Sequence, residues 1–371
     1  MKKLLVKLVS LLPIRNFIVF ESKPDISDNT KYVFEEMVKR ELYKKYKLIW
    51  LVGDPKSPYL ERFPNTIYIK EGSIKAKIIM KIARAIISCN TALGSERRGQ
   101  FSIYLNHGTT MKAVKSYYHL PTTITNHLVT SENMIEVTAY QFGLTAESAV
   151  ALGYPRNDEF SRERVDLKPI FPDREFEKVV VWYPTYRQHK NGNVNSTGNA
   201  LPIIHDAALA EQINSFAREK GLLIVMKPHF AQDISLFKSL NLSNIVFIND
   251  AFFREHSLSS YQFVNSCDAL ISDYSSIYYD FLLTDRPIGA VWEDIEEYKK
   301  FPGFAVDIDE YMKGAEKIYT AEDMIAFLDR LSRGEDILAT ERRQMCDFIN
   351  PYKDGKNSAR VVDFILSKIE K

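Results

Sequence analysis

Cysteine is scarce in this chain. Its 371 residues hold three, Cys89, Cys267 and Cys346, with no metal-type spacing, which excludes a disulfide scaffold and a cysteine-rich zinc site. They read as buried thiols in a reducing compartment. Net charge is almost absent: 49 Lys+Arg against 48 Asp+Glu give +1, so a basic nucleic-acid-binding surface is not indicated. No apolar run approaches the ~18–20 residues of a membrane-spanning helix. No G-x-G-x-x-G follows the first predicted strand, which argues against a nicotinamide dehydrogenase. Internal repeats and low-complexity tracts are also missing. What remains is 45% hydrophobic and 26% charged, an ordinary globular composition. At ~100–200 residues per domain the length suits about two domains.

The neutral total conceals an asymmetry. Residues 1–170 carry 26 basic and 17 acidic side chains, whereas residues 171–371 carry 23 and 31. One half is therefore suited to something anionic. The amino terminus begins Met1-Lys2-Lys3 and continues apolar to Leu12, but Pro13 and Arg15 interrupt it and no A-x-A pattern follows, so it does not read as a signal peptide. Leu4, Leu5, Leu8, Leu11 and Leu12 recur at helical spacing with Lys3 and Lys7 on another face. That pattern predicts a short basic amphipathic helix, which either lies in a membrane interface or packs on the domain.

Strand and helix patterns alternate through the chain. A first set has predicted strands at 17–20, 48–52, 66–69, 85–88, 103–105, 127–130 and 149–152, with helices that Asp28 and Ser73 can cap. The charged, proline-containing stretch 158–174 reads as a linker. A second set has strands at 179–182, 222–226, 245–248, 269–272 and 288–291 with helices between them. Strands separated by helices imply βαβ units, parallel sheets and right-handed crossovers. The expectation is an α/β protein of two doubly wound, Rossmann-like domains facing each other across a cleft: 1–165, 175–340, and a closing helical segment 341–371 that packs back across the junction.

Open parallel sheets bind ligands outside the carboxyl ends of their strands, so the residues just after each strand carry the functional information. His107-Gly108-Thr109 follows 103–105. Gly108 permits a sharp turn, and His107 is either a general base near neutral pH or a hydrogen-bonded turn histidine. Arg156 follows 149–152 and can clamp a phosphate or pair with an acid. Thr185 and Arg187 follow 179–182 and offer a hydroxyl and a guanidinium that suit phosphate oxygens, unless this is an ordinary surface loop. Lys227 and His229 follow 222–226 as two cationic donors, or as a surface lysine beside a packed imidazole. Asp273-Tyr274-Ser275-Ser276 follows 269–272. There a helix start and two hydroxyls make either an anion site or a plain serine cap, with Asp273 placed to orient a hydroxyl, a lysine or a ribose. Taken together, the set points to a phosphate-rich ligand held between the two domains.

The motifs His107-Gly108-Thr109, Gly153-Tyr154-Pro155-Arg156-Asn157-Asp158, Tyr183-Pro184-Thr185-Tyr186-Arg187, Lys227-Pro228-His229 and Ser272-Asp273-Tyr274-Ser275-Ser276 occur in the order seen in CDP-glycerol glycerophosphotransferases, the teichoic-acid primases and polymerases. Phe20-Glu21-Ser22 and Asp28-Asn29-Thr30-Lys31-Tyr32 also resemble that family's start. The likeness runs from about residue 17 to 291 and is most specific in the double-serine segment. It departs at Thr110 and Phe230, where the family commonly has proline.

The resemblance implies a GT-B-like fold and a peripheral enzyme on the cytoplasmic membrane face. It implies transfer of glycerol phosphate or a related polyol phosphate from a CDP-activated donor to a lipid-linked acceptor, with release of CMP. It implies that His107 is the base on the acceptor hydroxyl, that His229 contacts donor phosphate, and that Arg187, Ser275 and Ser276 are donor-phosphate ligands. A nucleotide-sugar glycosyltransferase of the same fold and a non-catalytic scaffold are the competing readings. No resident cofactor is predicted from the motifs. Mg²⁺ would find carboxylates at Asp273 and Asp280, although Asp280 lies a helical turn inward, where it packs or caps. On the helix begun by Ser73, Lys77, Lys81 and Arg84 lie beside Ile74, Ile78 and Ile82. With Lys3 and Lys7 they form either a surface for anionic lipid or a solvated face of a core helix.

Overall fold

Runs such as Ile18-Val19 and Val179-Val180-Val181 are apolar on both faces, the pattern of strands covered on two sides. In the computed structural model, which describes residues 9, 12–116, 118–185, 201–228, 234, 237 and 239–370, these runs build two separate parallel sheets. The first contains β1 (Arg15–Glu21), β2 (Lys47–Val52), β3 (Thr66–Lys70), β4 (Ala83–Ser88), β5 (Phe101–Tyr104), β6 (Asn126–Val129) and β7 (Ala149–Ala151) in the order β3-β2-β1-β4-β5-β6-β7. The second contains β8 (Lys178–Tyr183), β9 (Leu222–Met226), β10 (Ile245–Phe247), β11 (Ala269–Ser272), β12 (Ile288–Val291) and β13 (Glu316–Ile318) in the order β10-β9-β8-β11-β12-β13. Each is doubly wound, as expected. The strand order reverses between β1 and β4 and again between β8 and β11, the points where such sheets open a crevice.

Register shows how the apolar runs are divided. Val19 of β1 lies beside Ile49 and Ile86, and Ile18 beside Leu48 and Ala85. On one face Ile18 and Phe20 pack with Val33, Phe34 and Met37 of the helix Asp28–Lys39 and with Val361, Val362 and Ile365 of the helix Asn357–Ile369. On the other face Val19 packs with Ile69, Ala76 and Met80. Burying a side chain of this size contributes about 1.5–3 kcal/mol.

The chain forms two compact units. The first comprises Met1–Thr109, Lys115–Asp158 and Pro351–Lys371, and the second Thr110–Val114 and Glu159–Asn350. From Glu159 onward the stretch read as a linker belongs to the second unit. Arg164 bonds Ser266 O and Asp268, Asn265 Nδ2 donates to Glu159 O and Arg162 O, and Arg174 donates to Leu242 O and Ser243 O. Arg164 and Arg174 are thus held by carbonyls and a carboxylate of that unit. The closing segment divides as well. The helix Ala339–Ile349 stays with the second unit through Arg342, paired with Asp336 and Asp285, and the following Asn350 bonds Tyr279 O at 2.6 Å. The helix Asn357–Ile369 completes the first unit. Asp158 accepts the Asn357 and Ser358 N–H groups at 2.7 and 2.8 Å, so a carboxylate meets the helix's positive end.

Candidate functional site

At the carboxyl edge of the first sheet, the loop after β5 presents His107. The turn is made by Asn106, which adopts φ 60° and accepts the His107 N–H on its own Oδ1 at 2.9 Å; Gly108 is not left-handed. Three sequence-distant segments brace this loop. Asn29 Nδ2 donates to Asn106 O at 2.8 Å and to Leu105 O at 3.2 Å, and Cys89 Sγ donates to Asn106 O at 3.0 Å. Arg156 Nη1 donates to His107 O at 2.8 Å and to Asp28 Oδ1 at 2.7 Å. Arg156 is 1% exposed, so its guanidinium holds the base of the loop and does not line an open anion site. Breaking such a buried pair costs about 3–5 kcal/mol. Asp28 does not cap its helix. Ser27 stands at that position, and Asp28 adopts φ 52° with its carboxylate turned to Asn29 N and Arg156.

The opening motif Phe20-Glu21-Ser22 has a neighbouring structural task. Glu21 ends β1 at the switch point and accepts the N–H groups of Cys89, Asn90 and Thr91, which follow β4. Burial raises its carboxyl above the usual range against these bonds.

His107 is exposed, yet enough protein surrounds it that burial pushes its imidazole below the ordinary value, with Asp28 opposing and Arg156 reinforcing the shift. Asp28 already neutralises Arg156, so neither charge dominates the ring. A neutral imidazole at neutral pH is the state that accepts a proton. Its Nδ1 lies 3.1 Å from Tyr104 Oη, and Tyr104 Oη lies 3.4 Å from Tyr118 Oη.

At the switch point of the second sheet, Trp182 and Tyr183 of β8 pair with Ile271 and Ser272 of β11. Just beyond them Asp273, fully buried, accepts the Thr185 N–H at 2.8 Å and the Thr185 hydroxyl. The Thr185 proton is therefore directed at Asp273, which leaves this hydroxyl no proton for a phosphate oxygen. Tyr274 anchors the following turn. It donates to Asp294 Oδ1 at 2.9 Å and packs on Tyr298 and Phe304 at 4.1 and 5.4 Å between ring centroids. Ser275 and Ser276 come next, half-buried, and Ser276 makes no side-chain cap to the helix Ile277–Phe281. Lys227 leaves β9 with its N–H on Trp182 O, its ammonium 3.1 Å from Asp250 Oδ1 and 5.9 Å from the centre of the Tyr183 ring.

The expected residues thus fall at two strand edges, one in each unit. His107 and Arg156 share the first, and Thr185, Lys227, Asp273, Ser275 and Ser276 the second. Arg187, His229, Lys3 and Lys7 lie outside the described residues. Among the described residues no three His, Cys, Asp or Glu side chains are grouped to hold a metal, and both Asp273 oxygens accept hydrogen bonds from Thr185. Of the three basic residues read on the helix Ile74–Ile82 and just after it, Lys77 is exposed. Lys81 pairs with Glu96 at 2.9 Å, and Arg84 donates to Asn16 and to Ile369 O. No described helix is long and apolar enough to cross a membrane. Sequence reasoning missed Tyr104 and Tyr118, which look like ordinary aromatics, and the brace formed by Asp28, Asn29 and Cys89, whose partners are far away in sequence.

The chain is 25% identical over 385 residues to the teichoic acid ribitol-phosphate polymerase TarK of Staphylococcus aureus, covering 92% of this chain and 66% of that one. It is 22% identical over 369 residues to the teichoic acid glycerol-phosphate primase of Bacillus subtilis, covering 92% of this chain and 90% of the primase. It spans 57% to 66% of the length of the three ribitol-phosphate polymerases that it matches. The structure of the wall teichoic acid polymerase TagF superposes with a TM-score of 0.74 at 20% identity, over 100% of this chain and 94% of that one, a likeness of fold. The family pattern of CDP-glycerol:poly(glycerophosphate) glycerophosphotransferase matches residues 4–367, nearly the whole sequence, and the chain belongs to that family.

Proposed function

We propose that this protein transfers glycerol phosphate, or a related polyol phosphate, from a CDP-activated donor to the hydroxyl of a lipid-linked acceptor. The observation that carries the reading is His107: an exposed imidazole on a loop braced from three directions, held below its ordinary pKa so that it is neutral when it must take a proton. The acceptor O–H gives its proton to His107 Nε2 while its oxygen forms a bond to the donor's β-phosphorus. The bond from that phosphorus to the bridging oxygen breaks, and CMP leaves with the electron pair. On the second unit Ser275 and Ser276 supply hydroxyls, and Lys227 a cation, for the phosphate oxygens. Asp273 and Thr185 shape the turn that carries the serines.

A lipid-linked acceptor puts the reaction at the cytoplasmic membrane face, where the enzyme is peripheral. Lys77, beside the 44% exposed Ile74, supports contact with anionic lipid, whereas Lys81 and Arg84 are engaged within the protein. Recovery in vesicle flotation should rise with the anionic lipid fraction, and equal recovery on neutral vesicles would count against this contact.

The deciding experiment offers CDP-glycerol, CDP-ribitol and UDP-sugars with a lipid-linked acceptor and identifies the nucleotide released. CMP is expected, and UDP would transfer the protein to the glycosyltransferases. His107→Ala should lose about 10²–10⁴ in turnover with donor binding retained. Turnover near wild type would remove His107 from its role.

A further inference from the structure

We propose that Tyr104, backed by Tyr118, is a positioning residue that fixes His107 with its proton on Nδ1 and its lone pair on Nε2. The inference rests on His107 being the base. Tyr104 is the last residue of β5 and its side chain is fully buried. Its hydroxyl lies 3.1 Å from His107 Nδ1 and 3.4 Å from the Tyr118 hydroxyl. Both phenols are pinned by one ring: Phe142 packs edge-on against Tyr104 and Tyr118 at 6.1 and 5.9 Å between centroids. The three polar groups therefore form a short chain with little freedom except the direction of its protons.

Two directions exist. If Tyr104 donates to Nδ1, the neutral ring carries its proton on Nε2 and cannot accept one there. If Nδ1–H donates to the Tyr104 oxygen, the Tyr104 proton passes to Tyr118, and Nε2 is left as an acceptor. The partly exposed Tyr118 makes the second direction available, because its own proton can be given to water. Burial holds the Tyr104 phenol far above its ordinary value, so it remains a neutral partner throughout. The charged groups around the ring, Asp28 and Arg156, are paired with each other at 2.7 Å. A phenol in place of a carboxylate fixes the tautomer while drawing His107 toward the imidazolium less strongly than a carboxylate would. Once the proton has arrived, the bond from Nδ1–H to the phenol becomes charge-assisted and strengthens.

The test uses full-length Tyr104→Phe and Tyr118→Phe, which keep both rings, with ¹⁵N spectra of the histidine nitrogens and steady-state kinetics. Wild type should show His107 protonated on Nδ1. Tyr118→Phe should shift it toward Nε2–H, because the Tyr104 proton then turns to the imidazole. Tyr104→Phe should lower the His107 pKa, since it removes the acceptor that favours the charged ring. It should also lower turnover about 10–100-fold with the donor KM unchanged. A wild-type Nε2–H tautomer, a raised pKa in Tyr104→Phe, or undiminished turnover in that variant would overturn the proposal. If His107→Ala is impaired while Tyr104→Phe is not, this inference alone fails. If His107→Ala retains turnover, the assignment of the base fails first.

Discussion

Acid should weaken the first unit through His127. This residue lies in β6 between β5 and β7, with no exposed surface. Its Nδ1 is 3.0 Å from Ser148 Oγ, and that hydroxyl donates to Thr145 O at 2.7 Å. The serine proton is therefore committed, so Nδ1 carries the hydrogen and Nε2 a buried lone pair with no hydrogen-bond partner among the described residues. Burial pushes the imidazole down to about 4. In the unfolded chain the ring titrates near 6.5. Between those values the unfolded chain binds a proton that the folded chain refuses, so stability falls as pH falls through that window. At 1.36 kcal/mol per pKa unit the loss is about 3 kcal/mol, complete near pH 4. His127→Gln cannot titrate, and its amide can still meet Ser148. The experiment is hydrogen exchange of the β5–β7 amides in both proteins from pH 8 to pH 4. Wild-type opening free energy should drop relative to the variant by about 3 kcal/mol. A constant difference, or a His127 resonance titrating near 6.5, would refute the reasoning.

The second unit separates structural from ligand-facing hydroxyls. Thr185→Val strips a bond from the buried Asp273 and should lower that unit's stability by about 1.5–3 kcal/mol in urea unfolding. Ser275→Ala or Ser276→Ala should leave unfolding unchanged and raise the donor KM about tenfold, and the opposite pattern would exchange their roles. Gly153→Ala should cost about 1–3 kcal/mol, read from the urea midpoint. Gly153 adopts φ +76°, and an added Cβ would lie 2.3 Å from Asn357 Oδ1, at the start of the helix that Asp158 caps.

The fold was legible because buried parallel strands announce themselves as apolar runs, and twelve of the thirteen stand out in the sequence. β13, Glu316-Lys317-Ile318, carries two charged residues out of three and so makes no apolar run, unlike the equally short β7 and β10. The helix Ala321–Arg333 had a readable start, Thr320 with Asp323 three residues on, which form a capping box. It lies beyond the last chemical motif, Ser272-Asp273-Tyr274-Ser275-Ser276. The candidate residues were legible as strand-end positions, because strand ends are where open sheets bind ligands. The roles were not, since they are fixed by partners far along the chain. Arg156 looks like a phosphate clamp until Asp28, 128 residues earlier, is found at 2.7 Å. Thr185 looks like a phosphate donor until Asp273, 88 residues later, takes its proton. Tyr104 reads as one more core aromatic in a strand, and only its distance to Nδ1 distinguishes it.

The way the chain is parcelled between its two units bears on how it emerges from the ribosome. The second unit is almost one uninterrupted stretch, Glu159–Asn350, and can mature as soon as that stretch is synthesised. The first must wait, since Val361, Val362, Ile365 and Ile369 seal the face of β1 that carries Ile18 and Phe20. Translation therefore reverses the usual order of maturation. The portion bearing His107 is made early but acquires its last wall late, and a nascent chain stalled before residue 357 would leave that greasy surface open to chaperones and proteases.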